Sequence, residues 1–398
     1  MQHVPPTCCL HPFDSMWFWI FNSLAGFLVI VTLLPLSRHP AWWVRGWDFP
    51  RLQLAAIALI LALAQLFLLE RDGAWGWAVV AATLGCLVYH AIWISPYTPL
   101  FRREAKSAQA AAGTPRLRIL SANVLTPNRR SAEFVNLVRE WRPDVLVTVE
   151  TDLRWERDLD ALGDEYPHTL RCPLDNLYGM HLFSRLPLED AKIQFLVEDD
   201  KPSMHTLLVL PGGRRVELHC LHPAPPSPTE NETSSERDAE LVMVGRSVAD
   251  SPYPVVVTGD LNDVAWSATT RLFRKLSGLL DPRIGRGMYN TFHAHWPGLR
   301  WPVDHFFHSS DFTVVTLERL PALGSDHFAV GIELALGEAQ AREHEDEAPE
   351  PDAEDFEEAQ EKTAAEGVSP HEVHRPGRSR TRRRRARPAV APGVSETP

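Results

Sequence analysis

Three runs of about 20 residues, Met16 to Leu36, Leu52 to Leu69 and Trp75 to Ile94, are almost wholly apolar. At ~1.5 Å rise per residue, each is long enough as a helix to cross a hydrocarbon layer of ~30 Å. A water-soluble core has little use for three such helices packed into one end of a chain, so residues 16–100 are expected to form a three-helix transmembrane region behind a leader over 1–15. Trp42, Trp43, Trp47, Trp75, Trp77, Trp93 and Tyr97 sit near the ends of the runs, as interfacial aromatics do. The first run lacks a basic leader segment and an Ala-x-Ala cleavage site, so it reads as a span and not a signal peptide. Arg38, Arg45 and Arg51 occupy the first loop, and Arg102, Arg103 and Lys106 follow the third run. The second loop has only Arg71, beside Glu70 and Asp72. The positive-inside rule therefore puts the first loop and everything after Ile94 in the cytoplasm.

Beyond a linker over 101–116 the pattern changes to short strand-like runs, several ending on a polar residue. Leu117 to Asn123 alternates and ends on Asn123; Val145 to Glu150 is β-branched and ends on Glu150; Val216 to His222 ends on His222 before Pro223-Ala-Pro-Pro. Val255-Val-Val-Thr-Gly-Asp-Leu-Asn-Asp263 turns at Gly259 and presents Asp260 and Asn262, two residues apart and so on one side of the chain. Asp304 interrupts the apolar run Trp301 to Phe307, and Leu323-Gly-Ser-Asp326-His327 precedes a strand-like Phe328 to Leu336. One polar strand end is ordinary; six of them, carrying Asn, Glu, His and Asp, suggest one site on the rim of a sheet. Between the strands, Ser131 to Glu140 has helical spacing with Phe134, Leu137 and Val138 on one face and Ser131 placed to cap. Ser235 to Val248 and Ala265 to Leu276 are further helices, the latter with Asp263 as its expected cap. Periodicity alone therefore shows an α/β domain.

These residue types suit phosphoester hydrolysis. That reaction needs charge neutralised on the phosphoryl oxygens, a deprotonated water and a stabilised leaving oxygen. Glu150 and Asp326 are hard oxygen donors on separate strands, which suits Mg2+ or Mn2+; no clustered thiolates favour zinc.

The order Asn123, Glu150, His222, Gly259-Asp260-Leu261-Asn262, Asp304, Ser325-Asp326-His327 resembles the endonuclease/exonuclease/phosphatase superfamily over 117–336. Closer still, the arrangement resembles bacterial members that carry such a domain after three transmembrane helices. The resemblance implies a four-layer, two-sheet α/β sandwich. It implies Glu150 as the main metal ligand with Asn123 and Asp326 nearby, and Asp260 orienting or deprotonating the attacking water. It places Asn262 and Asn123 on phosphate oxygens, and His327 on the scissile phosphate or as acid–base with Asp304 holding its ring. His222 matches a second histidine that binds phosphate or protonates the leaving group, and Tyr178 a tyrosine that touches phosphate. Val149 stands where the family often has Gln, and His181 where an apolar residue is usual, which leaves His181 open as a substrate contact.

From Gly337 the composition shifts again. Acidic blocks at 343–347 and 352–358 precede an Arg-dense stretch at 375–387, so 337–398 is expected to be a disordered tail. Much of the net charge of −11 resides in the acidic stretch and says little about the catalytic surface. The five cysteines form no CxxC pair; Cys8 and Cys9 are adjacent, and Cys220 reads as a core residue. The expectation is a membrane-anchored Mg2+- or Mn2+-dependent phosphoesterase of a bacterial inner membrane, with a nucleic acid or a phospholipid headgroup as substrate. The alternative is a non-catalytic membrane scaffold or ligand sensor that retains the fold.

Overall fold

The computed structural model describes residues 12–68, 74–108, 113–337 and 348–378. The expected leader up to His11, with Cys8 and Cys9, the Arg71 loop, the acidic block at 343–347 and the Arg382–Arg385 run lie outside the described residues.

The apolar runs fold as α1 (Pro12–Leu33), α3 (Arg51–Leu68) and α4 (Ala74–Ile94), with a short α2 (Trp42–Arg45) in the first connection. Two helical stretches, Met16–Ser37 and Ala74–Tyr97, are long and apolar enough to cross a membrane. There are three if Trp42–Asp48 and Arg51–Phe67, bent by 71°, count as one. Phe21, Ala25, Leu28, Leu54, Ala58, Leu61 and Cys86 pack the helices against each other. Trp19, Ile30, Ile60, Phe67 and Ile92 point outward and are exposed. An apolar surface of that extent suits lipid and not water.

The strands are β1 (Arg116–Asn123), β2 (Val145–Val149), β3 (His168–Cys172), β4 (Met180–Ser184), β5 (Leu188–Phe195), β6 (Pro202–Val209), β7 (Arg215–Leu221), β8 (Val255–Asp260), β9 (Asp304–His308), β10 (Phe312–Arg319) and β11 (Val330–Leu336). They form two sheets, of order β10-β11-β1-β2-β4-β3 and β5-β6-β7-β8-β9. Each sheet holds one parallel pair, β1 with β2 and β7 with β8, and the remaining neighbours are antiparallel. The parallel pairs require helical crossovers, supplied by α5 (Ser131–Trp141) and α7 (Ser235–Val248). Ile119, Val147, Leu182, Leu218, Val256, Phe306 and Ile332 interdigitate between the sheets. α5 and α6 (Leu153–Leu159) cover one outer face through Phe134, Val138 and Trp155, while α7 and α8 (Ala268–Ser277) cover the other through Leu241, Val244 and Phe273. The result is the expected four-layer α/β sandwich. Strands buried on both faces explain why β2 and β8 read as continuous β-branched runs.

Local details depart from expectation in three places. Ser131 does not cap α5; Arg130 occupies the cap, and the Ser131 hydroxyl donates instead to Asp158 Oδ2 at 2.7 Å. The helix after the Asp260 loop starts at Ala268, capped by Ser267, whose Oγ accepts from Thr270 N. Asp263 backs that cap by accepting from the Ser267 and Thr270 hydroxyls. Two described residues of the expected linker are packed: Ala105 is buried between the sheets, and Ser107 bridges to Val314.

The largest difference lies in the expected disordered tail. Residues 353–365 form α9 (Ala353–Ala365), with a capping box between Asp352 and Asp355. Ala359 enters a cluster with Val242, Leu272 and Leu276, while Lys362 Nζ reaches Asp238 Oδ2 at 2.8 Å and Lys275 Nζ reaches Asp355 Oδ2 at 2.7 Å. Beyond it, His374 Nε2 meets the Asp190 carbonyl at 2.8 Å. Charge-dense sequence hid the helix because only one narrow face carries apolar contacts.

Candidate active site

The ends of β1, β2, β7 and β8 meet at one rim of the sandwich, since both parallel pairs run the same way into it. Asn123 closes β1, and its Nδ2 donates to Glu150 Oε1 at 2.6 Å and to Asp260 Oδ2 at 3.1 Å, joining the two sheets. Glu150 follows β2 in a left-handed conformation, φ 61°, its carbonyl held by the Thr126 hydroxyl at 2.7 Å. Asp260 ends β8, and its Oδ1 accepts from Asn262 N at 3.0 Å. Asp304 is its register partner on β9. His327 Nδ1 lies 2.8 Å from Asp304 Oδ2 and 3.6 Å from Asp260 Oδ2. His222 Nε2 stands 4.0 Å from the same Asp260 oxygen, with its ring 5.0 Å from Tyr178.

Asn262 is also left-handed, φ 50°, a conformation Asn tolerates better than most residues. Its Nδ2 donates to the Pro223 carbonyl at 3.0 Å, and its own carbonyl accepts from buried Arg237 at 2.8 Å. Arg237 thus braces the Asp260–Asn262 turn. Asp326 is half-buried next to His327. Tyr178 is set back: its hydroxyl donates to Glu230, and Lys201 Nζ lies 4.4 Å over its ring.

His181 goes elsewhere. It lies on β4, with Nδ1 2.6 Å from Thr151 Oγ1 and Nε2 3.2 Å from Glu156 Oε2. It is a packed core residue and no substrate contact.

Burial pushes the Glu150 carboxyl up to about 7, although Asn123 and His327 favour its ionised form. Burial, reinforced by Asp304, also holds Asp260 above the usual carboxylate range. Burial alone would lower His327, but Asp304 and Asp260 outweigh it and lift the imidazole to about 10. His222 gains too little from Asp260 and is pushed down by burial to about 4. At neutral pH one histidine is therefore charged and the other neutral.

Four carboxyl groups face that single charged imidazole. Glu150 Oε2, Asp304 Oδ1 and Asp326 Oδ1, with His222 Nδ1, are buried atoms with no hydrogen-bond partner. Unpartnered buried carboxylate oxygens are costly unless a cation or a donor joins them. Asp260, Asp304 and His327 form the one tight cluster of possible ligand groups among the described residues. The short Nδ1 contact to Asp304 commits that histidine nitrogen to a proton, so Glu150 Oε2 and Asp326 Oδ1 are the better free lone pairs. Hard oxygen donors of this kind fit Mg2+ or Mn2+.

A model of the endonuclease/exonuclease/phosphatase family matches residues 120–327, more than half of the chain. The chain belongs to this family. Solved structures of similar fold include humanized D. rerio TDP2, with 16% identity, covering 55% of this chain and 98% of that one, TM-score 0.46. An endonuclease/exonuclease/phosphatase from Beutenbergia cavernae is 19% identical, covering 56% and 72%, TM-score 0.44. The human Nocturnin catalytic domain is 16% identical, covering 56% and 94%, TM-score 0.46. No curated protein sequence matches.

The candidate site also includes Ser325, Thr291 and Phe292. Ser325 Oγ donates to the Asn123 carbonyl at 2.8 Å and accepts from His327 N at 3.0 Å, so it ties the histidine loop to β1. Thr291 Oγ1 accepts from Asp304 N at 3.3 Å, and the Phe292 ring lies 4.9 Å from His327. Ser325 sat inside the Gly-Ser-Asp-His motif and was findable; Thr291 and Phe292 carry no local signal.

Proposed function

We propose that this protein is a membrane-held, Mg2+- or Mn2+-dependent phosphoric ester hydrolase. The observation that carries the reading is the continuous Glu150–Asn123–Asp260–His327–Asp304 network with unpartnered carboxylate oxygens at its edge. A divalent cation held by Glu150 with Asp326 and Asn123 would neutralise charge on the phosphoryl oxygens. Asp260 orients the attacking water and takes its proton as the oxygen–phosphorus bond forms. Asn262 holds a phosphate oxygen; Asn123, whose Nδ2 hydrogens are on Glu150 and Asp260, would hold a second where the cation takes Glu150 from it, and Tyr178 lies beside His222. The charged His327, its Nδ1 proton on Asp304, contacts the scissile phosphate with its other ring nitrogen; neutral His222, 4.0 Å from the same Asp260 oxygen, binds phosphate as a hydrogen-bond donor. The leaving oxygen departs with the Nε2 proton of His327, the histidine that is charged at neutral pH, while Asp260 holds the proton taken from the water, which balances the step.

Asp304→Asn and His327→Ala should each lower metal-dependent hydrolysis of bis(para-nitrophenyl) phosphate by about 10²–10⁴-fold. Full activity in His327→Ala would sink the assignment. Glu150→Gln should abolish Mn2+ binding seen by calorimetry. A chain that binds no Mn2+ and turns over no ester would instead be a scaffold that retains the fold.

The apolar helices supply the anchor. The connection between α1 and α3 touches the hydrolase domain directly: Trp42 N donates to Glu232 O at 3.0 Å, and Trp266 Nε1 to Asp48 O at 2.7 Å. The Arg38–Arg51 loop and the catalytic site thus share one side of the bilayer, and the loop's arginines favour the cytoplasmic side of a bacterial inner membrane.

A further inference from the structure

Beside the catalytic network lies a cleft of about 740 Å³, within the ~300–1,000 Å³ typical of small-molecule sites. Its walls come from two parts of the chain. The α1–α3 connection supplies Trp42, Trp43, Trp47 and Phe49, and the hydrolase domain supplies Phe292 and Trp301. Asn262 and His327 border the same cleft. Phe49 packs edge-on against Trp301, ring centroids 5.9 Å apart, so the two walls are fitted to each other. Among the described residues lining the cleft, none is Lys or Arg.

That composition decides between substrates. A nucleic acid binds through cations set along its backbone, and aromatic walls without charge offer its phosphates nothing. An apolar chain gains from every methylene it removes from water. The cleft also lies where a lipid would be. Its first wall follows α1, a helix long and apolar enough to cross a bilayer, and leads into apolar α3, and Trp42 and Trp43 are 39% and 52% exposed. The adjacent loop sits against the start of α3, Gln53 Nε2 donating to Gly298 O at 2.9 Å, and carries Trp296 and Leu299 at 62% and 49% exposure. Exposed Trp and Leu beside the ends of such helices are the residues that settle at a bilayer interface.

We propose that the substrate is a membrane lipid bearing a phosphate ester, its apolar portion in the Trp42–Trp43–Trp301 cleft and its phosphorus at Asn262 and His327. This rests on the phosphoesterase reading and narrows it. The cleft raises the share of binding that comes from the chain, and the anchor keeps the enzyme at the surface where such a substrate is concentrated.

The test uses the full chain in nanodiscs with Mn2+. Butyl, hexyl and octyl phosphate are titrated by calorimetry, and hydrolysis is followed for dibutyroyl and dioctanoyl phosphatidylglycerol, bis(para-nitrophenyl) phosphate and plasmid DNA. Affinity should rise by about two- to fourfold per methylene. In Trp43→Ala, a largely exposed position that tolerates substitution, and in Trp301→Ala, that slope should flatten. Their kcat/KM should fall further for the dioctanoyl lipid than for the small diester. Equal affinity for the three alkyl phosphates, an unchanged slope in both variants, or DNA as the preferred substrate would overturn the proposal. If the small diester is hydrolysed without any effect of chain length, the lipid inference fails and the phosphoesterase reading stands. If no ester is hydrolysed and Mn2+ does not bind, both fail.

Discussion

At the residue scale, Gly259 shows how closely the rim is built. It lies inside β8 at φ 141°, and a Cβ there would stand 2.0 Å from the Leu221 carbonyl oxygen. No rotamer relieves a clash with backbone. Gly259→Ala should destabilise the fold by about 3 kcal/mol or more, beyond the usual range for overpacking, and should displace Asp260 in whatever protein still folds. Chemical denaturation followed by activity per folded molecule would check this; a neutral effect would contradict the close approach. Glu150 carries a pH prediction. Its carboxyl is pushed up to about 7 by burial, and a proton competes with a cation for it. Mn2+ affinity should therefore fall as pH drops below about 7 and level off above it, by calorimetry. A flat profile would mean that Glu150 is no ligand. In the metal-free protein the sign on stability is the opposite. A raised folded pKa gives a contribution that is full below the ordinary carboxylate range and lost as pH rises through about 7.

At the element scale, α7 is the instructive case. Leu241, Val244 and Val248 share one face at helical spacing and are buried, but so are Val242 and Met243. Two partners explain this: the β8 sheet on one side and α9 on the other. Asp238 at the start of α7 would be raised by burial, yet Lys362 of α9 and Arg237 hold it well below the usual carboxylate range. A chain ending at Leu336 should therefore expose Val242, Leu272 and Leu276. It should unfold at a lower temperature than one ending at Arg378; each fully uncovered side chain of this kind costs about 1.5–3 kcal/mol. Thermal unfolding of the two proteins in the same detergent would decide, and identical midpoints would show α9 to be loosely held.

At the scale of the whole molecule, the membrane region and the hydrolase domain are one packed body. Val264, Trp266 and Val303 share a cluster with Ala55, Ile94 and Tyr97, and Tyr97 donates its hydroxyl to the Ala265 carbonyl at 2.7 Å. On the proposed membrane-held reading, this packing puts the first loop and the hydrolase domain on one face of the bilayer. A reporter that is active only when exported should be silent when fused after Arg378; a bright fusion would reverse the orientation, and with it the compartment of the substrate. The domain is also not cleanly separable, because removing residues before Leu117 would strip a wall from the cleft and bare that cluster.

Much of this was legible from sequence because the signals are local. Apolar length marks helices that can cross a bilayer, and a β-branched run ending on Asn123, Glu150 or Asp260 marks a strand and its rim residue. What stayed hidden depends on distant segments meeting. Glu156 and Thr151 turn His181 from a possible contact into core, and one narrow apolar stripe lets a charge-dense tail dock as α9. The first loop reads as a connector until the fold seats Trp42 and Phe49 beside His327. The sequence by itself determined the residue types at the strand ends and the bilayer-length helices, since these follow from spacing along the chain. Only the tertiary structure decided which oxygens lack partners, which histidine is charged and what walls the cleft, because burial and pairing are properties of neighbours in space.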